Sequence, residues 1–126
     1  MSAEILYAGD TSLATAAAYL AGVLTHHGLP FEHLASDQPI GPALSGAGRR
    51  LYIISDYPVN NWRPDDFETV MAAVEAGAGL LMIGGWESFH GQAGHYGLSP
   101  LAAALPVHMR EEDDSVNSFQ PWAVER

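Results

Sequence analysis

The stretch AGAGLLMIGGWESF, residues 76–89, decides the fold because it holds an uninterrupted apolar run between two pairs of glycines. Residues 80–83 are apolar at every position, and this run is too short for an ordinary helix. It predicts a strand that is buried on both faces, as strands are in a parallel sheet covered by helices. The rest of the chain then has to supply further strands of this kind and the helices that cover them.

Three other segments are predicted to be strands, at residues 5–8, 31–34 and 51–55. Each is short and mostly apolar, and each is followed by polar, proline or glycine residues that end it. A last short strand is predicted at residues 107–109. Between the strands lie segments with helical periodicity, so that strands and helices alternate along the chain.

The first predicted helix carries apolar residues at helical spacing from Leu13 to Leu24, and Gly28 ends it. The second begins at Pro64, a residue that suits the first position of a helix. Its apolar stripe consists of Phe67, Val70, Met71 and Val74. A short third helix is predicted to begin at Ser99-Pro100. The alternation predicts the α/β class, with a flavodoxin-like, doubly wound, mostly parallel sheet of about four strands and helices on both faces.

Composition limits the class of function. The chain has 126 residues, 15 acidic against 5 basic side chains, and a formal net charge of −10. We expect one domain over residues 1–109, followed by a polar acidic tail over residues 110–126. The charge argues against nucleic acid and membrane surfaces as partners. No apolar segment is long enough to span a bilayer, and we expect a cytoplasmic protein.

Cysteine is absent from the sequence. Disulfides, thiolate metal sites and cysteine nucleophiles are therefore excluded for this chain. We expect neither a cofactor nor a resident metal ion. A small-molecule ligand is the expected partner, and a homo-oligomer is a second prediction.

The candidate binding residues follow the predicted strands, whose carboxyl ends meet at one edge of a parallel sheet. They are Gly84, Gly85, Trp86, Asp10 and Asp56. Two glycines let backbone amides approach a bound oxygen closely. The alternative for the glycines is a tight turn that requires positive φ, and the alternative for Asp10 is a helix cap.

Four residues are weaker candidates for catalysis: Ser88, His90, His95 and Asp56. A serine near a histidine suggests a nucleophile and its base, which a carboxylate would orient. Ser88 does not, however, stand at the sharp turn directly after the strand that a nucleophilic serine needs. The same histidines with Asp56 or Glu87 give a metal-site alternative, although their spacing is not that of a helical zinc pair.

The order of these elements resembles a known family. The stretch at residues 76–89, the segments GHY at 94–96 and SPLAAALPV at 99–107, and the strand ends at 9–12 and 53–56 are similar to the class I glutamine amidotransferase-like superfamily. The resemblance implies that the strand at residues 80–83 leads to the turn that carries the nucleophilic cysteine, with backbone amides forming an oxyanion hole. Here that position falls on or near Gly84–Gly85. The histidine and acidic partners of the family come from a later region, which we expect the chain not to reach.

Three functions follow as hypotheses. The first is an amidotransferase-like domain without cysteine glutaminase activity, acting in small-ligand binding or assembly. The second is a non-thiol hydrolase, dependent on serine or a metal, that uses the loop at residues 84–96. The third is a homo-dimerisation module, in which Trp62, Trp86 and Phe89 form one exposed apolar patch.

Overall fold

The computed structural model describes residues 3–46, 48–92, 94–112, 116–123 and 125. Its centre is a sheet of four parallel strands, which are β1 (Ile5–Ala8), β2 (Phe31–Leu34), β3 (Leu51–Ser55) and β4 (Gly79–Ile83). Their order across the sheet is β2-β1-β3-β4. This order is the flavodoxin-like one, and the predicted α/β fold class is confirmed.

Helices cover the two faces of the sheet. They are α1 (Ala18–His26), the short α2 (Gly41–Leu44) and α3 (Pro64–Glu75), and 3-10 helices span Val59–Asn61, Tyr96–Leu98 and Pro100–Ala104. Successive strand residues point to opposite faces, so each strand contributes to two cores. One core joins Ile5, Tyr7 and Ile53 to the buried face of α1. The other joins the alternate strand residues to α2, α3 and the last two 3-10 helices.

The first helix begins later than its apolar spacing predicted. Residues 13–17 form turns, and the helix proper starts at Ala18. Leu13 is 40% exposed and does not belong to the buried stripe, which is formed by Ala17, Ala21 and Leu24. The delay has a local cause, because the Asp10 carboxylate accepts hydrogen bonds from the backbone N–H groups of Thr11 and Ala17 and holds the intervening residues in turns.

The strand predicted at residues 107–109 is absent, which is a second correction. The segment follows the 3-10 helix Pro100–Ala104, and Met109 packs on the core near Gly97 instead of joining the sheet. Among the described residues after Ala104, no helix or strand is present. Asp113 and Asp114 of the predicted acidic tail lie outside the described residues. Within the described part of the chain, no helix has the length and apolar character that a bilayer span requires.

Candidate functional site

The carboxyl ends of β1 and β3 mark the point where the chain diverges to the two faces of the sheet. These strands are neighbours, and the helices that follow them pack on opposite faces. Ligands of open α/β sheets bind in the crevice at such a point. Asp10 follows β1 and Asp56 follows β3, and each adopts a positive φ, 56° and 52° respectively. Non-glycine residues rarely adopt this conformation, and such strained residues are enriched at functional sites.

Gly9 lies directly against the backbone of Ser55 at the end of β3. Its φ is +144°, and a Cβ atom built on it would stand 1.6 Å from the carbonyl oxygen of Ser55. The backbones after β1 and β3 are therefore in contact, and no residue larger than glycine fits there. This contact lies one residue before Asp10 and one residue before Asp56.

Asp10 acts as an anchor for the turns before α1. Its carboxylate accepts from Thr11 N–H at 2.8 Å, from Ala17 N–H at 2.9 Å and from the Thr15 hydroxyl. The bond from Thr15 and the backbone bonds hold the pKa of Asp10 below its ordinary value. The capping alternative accounts for these contacts, and a ligand role for Asp10 stays a prediction.

Asp56 connects the end of β3 to the turn after β4. Its Oδ1 accepts a hydrogen bond of 2.6 Å from Glu87 N–H, and its side chain lies directly against Gly85. A Cβ atom on Gly85 would stand only 2.5 Å from Oδ1 and 2.7 Å from Cβ of Asp56. Neither Gly84 nor Gly85 has a positive φ, so the positive-φ alternative is wrong. Gly85 is required by the close approach of Asp56.

Glu87 lies beside this carboxylate. Partial burial raises the pKa of Glu87, and the negative charge of Asp56 raises it further. The turn therefore carries two neighbouring acidic groups of unequal environment. An anionic ligand would be repelled at this position, whereas a neutral oxygen acceptor would not.

The Ser88 side chain has a structural role. It is only 2% exposed, and its hydroxyl oxygen accepts a hydrogen bond of 2.8 Å from Asp56 N–H. The rings of His90 and His95 lie against each other, with centroids 5.1 Å apart. No hydrogen bond joins Ser88 to either histidine in the described part of the chain. Over the same residues, no three histidine, aspartate or glutamate side chains are grouped as a metal site would need.

The aromatic residues of the loop divide into exposed and buried groups. Trp86 is 73% exposed, while Tyr96 is fully buried and Phe89 packs against the core. Trp62 is also buried, at 7% exposure. The exposed patch of Trp62, Trp86 and Phe89 that would favour the dimerisation hypothesis is therefore not formed. Of these aromatic side chains, Trp86 has most of its surface open to solvent at the turn.

A groove of about 600 Å³ lies at the start of α3, and the sequence analysis did not predict it. Its walls come from the loop after β3, from the first turns of α3 and from the segment that precedes and begins the last 3-10 helix. It is lined by Val59, Asn60, Trp62, Pro64, Phe67, Glu68, His95, Leu98, Ser99 and Pro100. The sequence predicted that helices begin at Pro64 and Pro100. It did not show that these two helix starts lie side by side and line one groove.

Comparison with known proteins identifies a family. The model of the family described as putative glutamine amidotransferase matches residues 18–125. Among curated proteins, no match was found. The matched region includes β2, β3 and β4, the turn after β4 and the groove.

Proposed function

The chain belongs to the putative glutamine amidotransferase family, and on that premise we propose that it is an amidotransferase-like domain that binds a small neutral ligand and lacks cysteine glutaminase activity. The proposed site is the turn Gly84–Gly85–Trp86, at the edge formed with Asp56 and Asp10. The ligand class is a molecule with a carbonyl or carboxamide oxygen.

One observation carries this proposal. The backbone N–H groups of Gly85 and Trp86 donate to no acceptor among the described residues, and both residues are exposed. Neighbouring unpaired amides of this kind bind an oxygen atom of a ligand. Because Asp56 and Glu87 stand beside the turn, a neutral oxygen suits these donors better than a carboxylate does.

The proposed lack of cysteine glutaminase activity follows from the nucleophiles that the chain contains. The sequence has no cysteine, so no thiolate is available to attack a carboxamide carbon. Ser88 offers no replacement, because its hydroxyl is buried and accepts from Asp56 N–H. The serine hydrolase alternative therefore has a nucleophile that would first have to leave its place in the fold.

The test is a titration of the protein with propionamide and with L-glutamine, followed by backbone amide NMR. We expect the largest shifts at Gly85 and Trp86, and Trp86→Ala should weaken binding about fivefold or more through lost apolar contact. Trp122→Ala is the matched control, since Trp122 is also largely exposed but lies in the tail. Ammonia release from glutamine that is lost on changing a residue of the loop, or shifts that avoid the turn, would refute the proposal.

A further inference from the structure

We propose that the groove between α3 and the last two 3-10 helices is a second ligand site, which binds a small organic ammonium ion with an apolar group. This groove, the α3 groove, has ten lining residues, which run from Val59 to Pro100. Of the candidate residues in the loop at residues 84–96, only His95 also lines the α3 groove. The proposal does not depend on ligand binding at Gly85 and Trp86.

The floor of the α3 groove is held rigidly. Trp62 stacks on Phe67 with ring centroids 4.7 Å apart and planes inclined by 5°. Its Nε1–H donates to the Tyr96 hydroxyl at 3.0 Å, and that hydroxyl donates to the carbonyl oxygen of Tyr57 at 2.6 Å. Both of these hydrogen bonds are buried, so the indole has one orientation and a preformed surface. A preformed site does not have to be ordered when a ligand binds.

The walls are mostly apolar and come from separate parts of the chain. Val59 follows β3, Pro64 begins α3, and Leu98 and Pro100 belong to the last two 3-10 helices. Leu98 is 88% exposed, which is a high value for a leucine beside an aromatic floor. The volume lies within the range of small-molecule sites, about 300–1,000 Å³. A ligand with an apolar group would cover this surface and gain from the burial.

The charged side chain that lines the α3 groove favours a ligand of positive charge. Among the described residues that line it, Glu68 is the one carboxylate, and none is an arginine. Within the described residues, Glu68 takes part in no salt bridge, since the two that occur join Arg49 to Glu32 and Arg50 to Glu4. The net charge of −10 adds a field that attracts cations to the whole surface. An ammonium group paired with Glu68 would satisfy this carboxylate at the edge of an apolar surface.

Asn60, His95 and Ser99 supply the remaining polar atoms of the α3 groove. The Ser99 hydroxyl donates to the carbonyl oxygen of Tyr96 at 2.7 Å, so its oxygen keeps its lone pairs for accepting a hydrogen bond. Asn60 is exposed and its side chain forms no hydrogen bond among the described residues, so its amide oxygen is a second acceptor. An ammonium group with two or three N–H donors matches such acceptors.

Three probes of similar size test which charge the groove selects: phenethylammonium, the neutral 2-phenylethanol and the anionic phenylacetate. In calorimetric titrations at low salt we expect the ammonium to bind about tenfold or more tightly than either analogue. Glu68→Gln should weaken the ammonium about fivefold or more, and Leu98→Ala should weaken it through lost apolar contact. Glu75→Gln is the matched control, because it makes the same charge change at the exposed far end of α3.

Three results would overturn the proposal. They are equal binding of the three probes, an equal effect of Glu68→Gln and Glu75→Gln, and no saturable binding of the ammonium by the unmodified chain. Glu68 is exposed, so the substitution is compatible with folding, which thermal unfolding monitors. Trp86→Ala should leave ammonium binding unchanged, and this variant separates the α3 groove from the site proposed at the turn.

Discussion

At the residue scale, the approach of Asp56 to Gly85 makes a sharp prediction about two adjacent glycines. Gly85→Ala would place a methyl group 2.5–2.7 Å from three atoms of the Asp56 side chain, including its Cβ atom, which cannot swing away. We expect a loss of about 1–3 kcal/mol in the free energy of unfolding, as for other overpacked sites. Gly84→Ala is the matched control, because the nearest atom to its Cβ would be Phe89 Cε2 at 3.9 Å. Urea unfolding measures both, and equal losses would refute the contact.

Ser88 gives a second prediction at this scale. Ser88→Ala removes the acceptor of Asp56 N–H and leaves that backbone donor without its partner in a partly buried place. The expected cost is about 1–3 kcal/mol in the free energy of unfolding. Ser118→Ala changes an exposed serine of the tail and should cost far less. If Ser88→Ala unfolds like the unmodified chain, the hydroxyl is not needed by the fold and becomes available for another role.

Some features of the turn after β4 could be predicted from the sequence, and others could not. The position of Gly84 and Gly85 after a strand was readable from an apolar run ending in glycines. The reason for Gly85 was not, because it depends on the Asp56 side chain, which lies 29 positions earlier, directly after the neighbouring strand β3. The strained φ values fall on Asp10, Asp56 and Phe89 instead of these glycines. Aspartate tolerates that conformation moderately well, so its presence after a strand is only a weak signal.

At the element scale, Asp10 ties β1 to the start of α1. Its lowered pKa means that the folded chain favours the ionised form, so this contribution to stability is present above the ordinary pKa of 3.8 and is lost as the pH falls through the lower, folded value. We predict that Asp10→Asn is less stable than the unmodified chain at pH 7 and that the difference shrinks on acidification below 3.8. Urea unfolding at a series of pH values follows the difference.

The control for this experiment is Asp37→Asn. Asp37 is exposed, and its carboxylate accepts only from the side chain of Gln38 among the described residues. It makes the same charge change without anchoring a helix start. A difference between Asp10→Asn and the unmodified chain that stays constant with pH would show that the hydrogen bonds of Asp10 do not depend on its charge.

The elements themselves were largely predictable because each strand is a continuous apolar run with a polar or glycine boundary. The bounds of β1, β2 and β3 agree with the prediction, and β4 begins one residue earlier, at Gly79. The start of α1 was not predictable, since residues 13–17 have helical spacing but their backbone is held by the Asp10 side chain. The segment at residues 107–109, which was expected to form a strand, does not join either edge of the sheet, because Met109 packs against the core instead.

At the scale of the whole molecule, the two faces of the sheet are covered unequally. Alternate residues of β4 point to the α1 face, and Leu81 on that face is 43% exposed. In the described part of the chain, β4 has β3 as a neighbour on one side and no strand on the other. Natural edge strands usually carry a charge, a proline or a bulge that prevents pairing with another chain. The strand GLLMI carries neither a charge nor a proline.

This edge leads to the prediction that the chain associates with itself through β4, which would make the expected homo-oligomer. Leu81→Lys places a positive charge on the exposed edge and should abolish concentration-dependent association in sedimentation velocity experiments. Tyr19→Lys is the control, because Tyr19 is 84% exposed on α1 and the change in charge is identical. Circular dichroism would test whether both variants are folded. A chain that sediments as a monomer at every concentration would contradict the prediction. Equal effects of Leu81→Lys and Tyr19→Lys would contradict it as well, because a general gain of positive charge would then explain the change without any role for the β4 edge.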